Sequence, residues 1–491
     1  MKAAANREVG EMEYLMDLRL WIRKLEEIGK LKKIRGANWD LEIGTLWDII
    51  GSEPDPSSAL FSEIPGYPPE YAVLINPQNS QRISALASGM TEEESVLPPI
   101  EYVRALKSRM KRIRSQPRIL PRIVQDAPFM ENVDEAEKID LYKFPAPRWN
   151  EADGGELEAR YLGTGCVCIT RDPDSGVANL GIYRVMIHDK NLLGLYMSPN
   201  KDGMTNMRKH HATGKPMPIA VTFGQDLVTY WAAEHKHPHA ESEYEYAGGI
   251  RQKPVEVVTG RHTGLPIPAS AEIVVEGFVM PNELRDEGPF GEWVGYYSSG
   301  TKPEPVIRVK SVMFRDNPII FGHPHLRAEV VGMPWRWAAA VWNRLEACGV
   351  PDVRGVWAYG QLWTVVAIRQ RYPGHARQAG IIAAQTKPGS VGARFTLVVD
   401  DDIDPSDSQA VLWAMGTRMN PVEDIQIMRR SWSSSIDPMV PPGTPSEACF
   451  TSRAVFDACR PFEWKDNFPQ ATGPSPELRQ RTYEKWKSIL G

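Results

Sequence analysis

The chain has 491 residues, enough for two to four domains of ordinary size and too many for one compact unit. Lys and Arg total 57 against 62 Asp and Glu, a formal net charge of −5, so no global basic field exists to hold nucleic acid or an anionic membrane. Hydrophobic residues at 42% and charged residues at 24% describe a globular chain, which excludes a disordered or fibrous one.

No apolar run approaches the roughly 20 residues of a membrane helix. Glu8, Glu11, Glu13 and Asp17 are scattered where a signal peptide would carry a basic region and an apolar block, so a cytoplasmic protein is expected. Five cysteines are odd in number and sparse over this length, unlike a disulfide framework. Cys166 and Cys168 fall two apart on an expected strand without a second pair, which points to buried core thiols and not to zinc.

Leu18, Trp21, Ile22, Leu25 and Ile28 repeat at three and four, one face of an amphipathic helix stopped by Gly29. Strands are expected at Leu31 to Ile34 and Tyr71 to Ile75, with turn-rich GSEPDPSS and PGYPPE between them. From about Glu131 the texture becomes β-rich. Strands are expected at Tyr161 to Ile169, Asn179 to Ile187, Leu192 to Met197, Pro218 to Phe223, Glu272 to Val279 and Val306 to Phe314. HDKN and RDNP supply hairpin turns, and a barrel or strongly curved sheet would follow. After Pro334 helix and strand alternate: Pro334 to Cys348, Leu362 to Ile368, His375 to Thr386, Phe395 to Val399 and Ser406 to Thr417, a separate α/β unit. Pro476 to Leu490 is a short charged helix after a turn, an arm that docks elsewhere.

The stretch DEGPFGEWVGYY carries most of the chemical information. Glu287 and Glu292 bracket Gly288-Pro289-Phe290-Gly291, a tight turn that faces both carboxylates toward one space. Two carboxylates held together repel, so one pKa rises and that group can carry a proton at neutral pH, which is general-acid chemistry. The spacing alone fits a solvated surface turn slightly better. In NLGIYRVMIHDKN, Arg184 lies mid-strand among apolar residues and needs an anionic partner if it is buried; an outward-facing strand Arg fits equally well. Asn179 and Arg184 differ by an odd number, so a bend near Gly181 must intervene if both serve one site.

Glu241, Glu243 and Glu245 alternate as on one strand face, where solvation is a commoner answer than a cation. His235, His237 and His239 alternate upstream, as metal ligands or as a polar loop. Asp400, Asp401, Asp402 and Asp404 end a strand; Asp404 is the expected helix cap, with Pro405 at the first helical position.

Taken in order, NLGIYR with MIHDKN, ESEYEYAGG, EGPFGEWVGYY and VVDDDIDP resemble the UbiD-like family of reversible decarboxylases, from about Glu131 to the C-terminus. The resemblance implies an α+β and α/β multidomain fold. Its parts are an N-terminal α/β domain at 1–130, a split β-barrel that binds prenylated FMN at 131–330, a C-terminal α/β oligomerisation domain at 331–470, and a helix at 471–491 that docks on a partner subunit. It places the family's catalytic set on Arg184, Glu287 and Glu292, with Glu292 as proton donor and acceptor and the other two orienting the substrate carboxylate and holding the protonation state of Glu292. Cofactor binding falls on Asn179, Gly181, Ile182, Tyr183, Arg184 and Glu243, and the metal, Mn²⁺ or Mg²⁺ with K⁺ beside it in relatives, on Asn179, Asp202 and Glu243. Asp202 departs from the family, where many relatives carry His; an Asp oxygen is an acceptable hard ligand.

The cofactor follows from chemistry too. Loss of CO₂ from an aromatic or α,β-unsaturated acid leaves a carbanion on an sp² carbon, for which side chains offer no electron sink. The implied partners are a small aromatic or heteroaromatic carboxylic acid and CO₂, a flavin prenyltransferase, and further copies of the chain as a dimer or hexamer. His323, His325 and Trp432 suggest pocket residues that bond or stack on a polar ring. Two other classes compete: a non-catalytic flavin-binding or assembly protein, and a flavin-independent metal-dependent hydrolase using Glu287 and Glu292.

Overall fold

The computed structural model describes residues 13–76, 79–157, 159–199, 201–234, 241–325, 335–386, 391–445 and 448–490. The amphipathic opening forms α1 (Leu18–Glu27), which buries Leu18, Trp21 and Leu25 on one face. Asp17 caps it by accepting from the amides of Arg19 and Leu20, and Gly29 follows at φ 68°, a left-handed backbone that glycine adopts without strain. After β1 (Leu31–Arg35) come α2 (Glu42–Gly51), β2 (Ser58–Ser62), β3 (Ala72–Ile75) and α3 (Pro99–Ser115). β1 and β2 run parallel, β2 and β3 antiparallel, and all four residues of β3 are buried, as suits an internal strand.

The β-rich middle contains β4 (Asn132–Glu135), β5 (Tyr161–Gly163), β6 (Val167–Arg171), β7 (Ala178–Gly181), β8 (Arg184–Asp189), β9 (Leu192–Tyr196), α4 (Asp202–Ala212), β10 (Met217–Phe223), α5 (Leu227–Glu234), α6 (Glu243–Arg251), β11 (Ile273–Glu287) and β12 (Lys302–Phe314). Its strands form one antiparallel sheet in the order β5-β8-β9-β12-β11-β10-β6-β7, with β4 on β12. Register shifts between Glu276 and Gly277 and between Val279 and Leu284 break the long β11–β12 ladder and curl the sheet.

Several expectations change here. Tyr161 to Ile169 is two strands, because Thr164-Gly165-Cys166 breaks the run; a Cβ on Gly165 would come within 2.7 Å of the Phe321 carbonyl oxygen. The Asn179 to Ile187 run breaks at Ile182 and Tyr183, so Arg184 opens β8 and is not mid-strand. Glu243 and Glu245 begin helix α6 behind the Ser242 cap and share no strand face. HDKN does turn β8 into its antiparallel neighbour β9. RDNP does not make a hairpin: it leads β12 into β13 (Ile319–Gly322), which leaves the curled sheet and pairs in parallel with β3. The chain thus returns to its first sheet.

The final unit runs α7 (Trp335–Ala347), β14 (Val353–Tyr359), β15 (Trp363–Ile368), α8 (His375–Ala384), β16 (Phe395–Asp400), α9 (Ser408–Arg418), β17 (Ile425–Trp432) and β18 (Phe450–Ala458), a mixed sheet ordered β14-β15-β16-β18-β17. α9 is capped by Asp407, not Asp404. Asp404 accepts instead from the amide and hydroxyl of Ser406, while Asp400 and Asp402 hold Arg418. α10 (Pro476–Leu490) exposes Leu478, Trp486, Ile489 and Leu490. Cys166 and Cys168 are buried. Among the described residues no helix is long and apolar enough to cross a membrane. His235, His237 and His239 lie outside the described residues.

Glu272, 0% exposed, ties α1 to the curled sheet: it accepts from Arg19 at 2.9 and 2.8 Å and from Arg315 at 3.0 Å. Removing it leaves two guanidinium groups facing each other without their shared carboxylate. Glu272→Ala is expected to lower the free energy of unfolding by about 2–4 kcal/mol, read from urea denaturation. A loss under about 0.5 kcal/mol, the level of an ordinary surface substitution, would contradict this account of the junction.

Candidate active site

Arg184 opens β8 and Glu287 closes β11, strands separated in the sheet by β9 and β12. The curl brings the two ends together. Arg184 donates from Nε to Glu287 Oε1 at 2.8 Å and from Nη2 to Glu287 Oε2 at 2.6 Å, a two-toothed fork. Its Nη1 donates to Glu292 Oε1 at 3.0 Å. All three are buried, at 9%, 0% and 8% exposure, so bulk water relieves their charges little. The repulsion expected between the two glutamates is offset by the guanidinium between them. Burial works against the charge on Arg184, but the hydrogen bonds and charge of Glu287, with the charge of Glu292, raise its pKa above the ordinary guanidinium value.

Aromatic rings wall this cluster. The guanidinium lies 4.4 Å from the Tyr196 ring centre and 4.9 Å from that of Phe290, and Phe290 packs on Tyr161 at 4.5 Å. The loop carrying Glu292 begins at Gly288, φ 85°, where a Cβ would meet the Gly300 carbonyl oxygen at 2.4 Å. Within it, the Glu292 amide donates to the Tyr296 carbonyl at 3.1 Å and Gly295 to the Glu292 carbonyl at 2.8 Å. His325 is close enough for the charge of Arg184 to affect its titration. Burial is the larger cause and drops His325 to about 4; burial and His325 drop His323 to about 3, so both rings are neutral at pH 7. Trp432 lies exposed on β17, paired with Phe450.

A second constellation gathers where β7 breaks. A cavity of about 10 Å³, room for one water or ion, is lined by Asn179, Asp202, Asn206 and Glu243, with Asp172 and Glu241 at its wall. Asp172 is held by Lys209 at 2.8 Å and Glu241 by Arg118 at 2.9 Å. Glu243 accepts from the Leu180 amide at 2.7 Å and from Asn179 Nδ2 at 3.3 Å. Burial pushes Glu243 up to about 7, and the charge of Asp202 adds to that. Among the described residues the buried Oδ1 of Asn206 has no hydrogen-bond partner, while its Nδ2 donates to Thr170 Oγ1 at 3.0 Å. Repelling carboxylates and an orphaned carbonyl oxygen fit a hard cation, which prefers oxygen donors. Among the described residues no three His, Cys, Asp or Glu side chains form a metal cage by themselves.

Gly181, Ile182 and Tyr183 form the bend between the two constellations. The Tyr183 hydroxyl accepts from the Gly203 amide at 3.0 Å and donates to Asn179 Oδ1 at 3.4 Å, and a Cβ on Gly181 or Gly203 would strike its ring. Tyr183 is therefore packed inside. Residues absent from the sequence reading are the walls Tyr161 and Tyr196, the donors Thr170 and Asn206, and Asp153, which holds the Glu292 loop. Phe290 stood within the motif itself. The others belong to short polar or strand segments with no spacing to mark them.

Two family descriptions match: the 3-octaprenyl-4-hydroxybenzoate carboxy-lyase Rift-related domain over residues 122–325, and the C-terminal domain of the same carboxy-lyase over residues 337–458. A phenolic acid decarboxylase of Bacillus subtilis is 31% identical over 465 residues, covering 91% of this chain and 92% of the relative. One from Streptomyces sp. is 29% identical, covering 94% and 96%. Among solved structures, the UbiD-class enzyme HmfF from Pelotomaculum thermopropionicum in complex with FMN superposes with a TM-score of 0.80 at 26% identity, covering 94% of this chain and 98% of that one. An evolved dimeric form of that enzyme in complex with prFMN gives 0.77 at 26% identity, covering 94% and 98%. Vanillic acid decarboxylase of Sedimentibacter hydroxybenzoicus in closed form gives 0.78 at 25% identity, covering 97% and 99%.

Arg184→Lys keeps a positive charge but loses the planar fork that serves two carboxylates at once. It is expected to cost about 1–3 kcal/mol of stability, measured by urea unfolding at neutral pH. Unchanged stability would mean the three side chains are not held as one buried unit.

Proposed function

The chain belongs to the UbiD-like family and is a carboxy-lyase, and on that premise we propose that it reversibly and non-oxidatively decarboxylates an aromatic or heteroaromatic acid, with Glu292 as proton donor and acceptor. The observation that carries the proposal is Arg184 bonded at once to Glu287 and Glu292 in a buried cluster walled by rings. Prenylated FMN, when bound, supplies the electron sink for the pair left on the carbon that loses CO₂.

This chain's residues divide the remaining work. The Arg184 fork keeps N–H groups beyond the three engaged by glutamates, and these receive the substrate carboxylate. Glu287, bonded through both oxygens, fixes the plane of the guanidinium and leaves Glu292 bonded through one. Glu292 is therefore the more mobile of the pair, and it delivers a proton to the carbon that loses CO₂ and takes one up in the reverse direction. The walls of Tyr161, Tyr196 and Phe290 exclude water from that proton. The grip of Arg184 must not tighten on the ground state more than on the transition state, or turnover slows.

Asn179, Asp202 and Glu243 would hold Mn²⁺ or Mg²⁺, whose charge would neutralise the phosphate of the cofactor. Gly181, Ile182 and Tyr183 would present the adjoining backbone to the cofactor, and neutral His325 would meet a polar group on the substrate ring. The exposed apolar side chains of α10 support docking on a second copy of the chain, and an evolved dimeric form among the structural neighbours is compatible with a homo-oligomer. The cofactor would come from a separate flavin prenyltransferase.

Glu292→Gln, co-produced with such a prenyltransferase, is expected to retain fold and bound flavin but to lose CO₂ release and solvent-deuterium exchange by about 100-fold or more, with vanillic acid as the first probe. Full activity in that variant would remove Glu292 from its role.

A further inference from the structure

The turn Trp149–Gly155, just ahead of β5, takes no part in the proposed chemistry, yet it is fastened to the loop that carries Glu292. Asp153 is 0% exposed. Its Oδ1 accepts from the amide of Gly291, the residue before Glu292, at 3.3 Å. Its Oδ2 accepts from the amide of Asn150 at 2.9 Å and from Asn150 Nδ2 at 3.4 Å. One residue on, the Gly154 amide donates to the Pro289 carbonyl at 2.8 Å. The loop is thus gripped at Pro289 and at Gly291, on either side of the ring of Phe290 that faces Arg184.

The turn is itself anchored to the first domain. The Arg148 carbonyl accepts from the Leu41 amide at 3.0 Å, and its guanidinium donates to Asp40 at 2.6 Å. Gly44 of α2 lies so close that a Cβ would fall 1.8 Å from the Trp149 carbonyl oxygen. A movable turn would not need such support. Burial pushes the Asp153 carboxyl up to about 6; the two amides, Asn150 and the charge of Arg184 pull the other way. A buried acid with this desolvation cost is an expensive way to close a surface turn.

We propose that Asp153 is a positioning residue, whose carboxylate fixes the Gly291 amide and so sets the place of the Glu292 carboxyl against Arg184. This rests on the proton-transfer role given to Glu292 above. Two backbone donors arrive at two different oxygens, which a carboxylate serves and a primary amide cannot, because its nitrogen would face one N–H with another. Misplacing a reacting group by about 1 Å can cost about 100-fold in rate.

The test compares the flavin-loaded wild type with Asp153→Ala and Asp153→Asn. Amide hydrogen exchange of the peptide spanning residues 288–297 is expected to speed up about tenfold or more in Asp153→Ala and by less in Asp153→Asn, which keeps one acceptor. With vanillic acid, kcat should fall about 100-fold in Asp153→Ala with KM held within about twofold, and Asp153→Asn should recover part of it. Should Asp153→Ala fail to fold, Asp153→Asn decides alone: faster exchange with a kcat loss at constant KM supports the proposal. Unchanged exchange in the variant that folds overturns it, as does faster exchange with unchanged kcat. A wild type inactive on aromatic acids would sink the decarboxylase reading, while the exchange measurement would still judge the clamp.

Discussion

A guanidinium shared between two carboxylates, all three buried, is the constraint around which the central fold is arranged. Each charge alone would be costly to bury, by several kcal/mol or more, so the set is stable only when complete. That requirement fixes where β8 must start and where β11 must stop, since Arg184 opens one strand and Glu287 ends the other. Curling the sheet by bulges near Glu276 and Val279 is the backbone's way of joining the ends of strands that are not neighbours. Glu292 enters from the following loop, and its single bond to Arg184 is the geometric difference between it and Glu287.

The break at Ile182 and Tyr183 links this cluster to the small oxygen-lined cavity. Asn179 on β7 and Arg184 on β8 would face opposite sides of an unbroken strand; the bend lets one short segment serve both places. Tyr183 fills the bend between two glycines and bonds both the start of α4 and Asn179, so its bulk sets the spacing of the two constellations. Glu243 reaches the same cavity from the first turn of α6, where helix amides tolerate negative charge. Electrostatics thus divides the site into a half where one arginine serves two carboxylates and an oxygen-lined half where Glu243 lies beside Asp202.

What the sequence displayed and what it hid follow a physical division. The amphipathic spacing of Leu18, Trp21 and Leu25 and the alternation after Pro334 were legible because burial on one face repeats at the period of the element. The meeting of Arg184 with the two glutamates came from motif resemblance and turn chemistry, since sequence distance alone does not tell which strand ends converge. Alternation and composition misled where a neighbouring cap or a distant strand decided. Ser242 capped a helix where alternating glutamates had suggested a strand, Asp407 and not Asp404 capped α9, and β13 left the curled sheet for β3 although RDNP had the composition of a hairpin. Asp153 and Asn206 carry no periodicity, and only the fold reveals that one supports a loop and that the other's carbonyl oxygen has no partner among the described residues.

The proposed chemistry requires a flavin ring against Arg184 and Glu292. A crystal structure of protein co-produced with a flavin prenyltransferase measures this directly. An isoalloxazine is expected within contact distance of these two side chains, with the cofactor phosphate beside Asn179 and Glu243. A flavin bound elsewhere, or CO₂ release from an aromatic acid by protein that holds none, would contradict that chemistry.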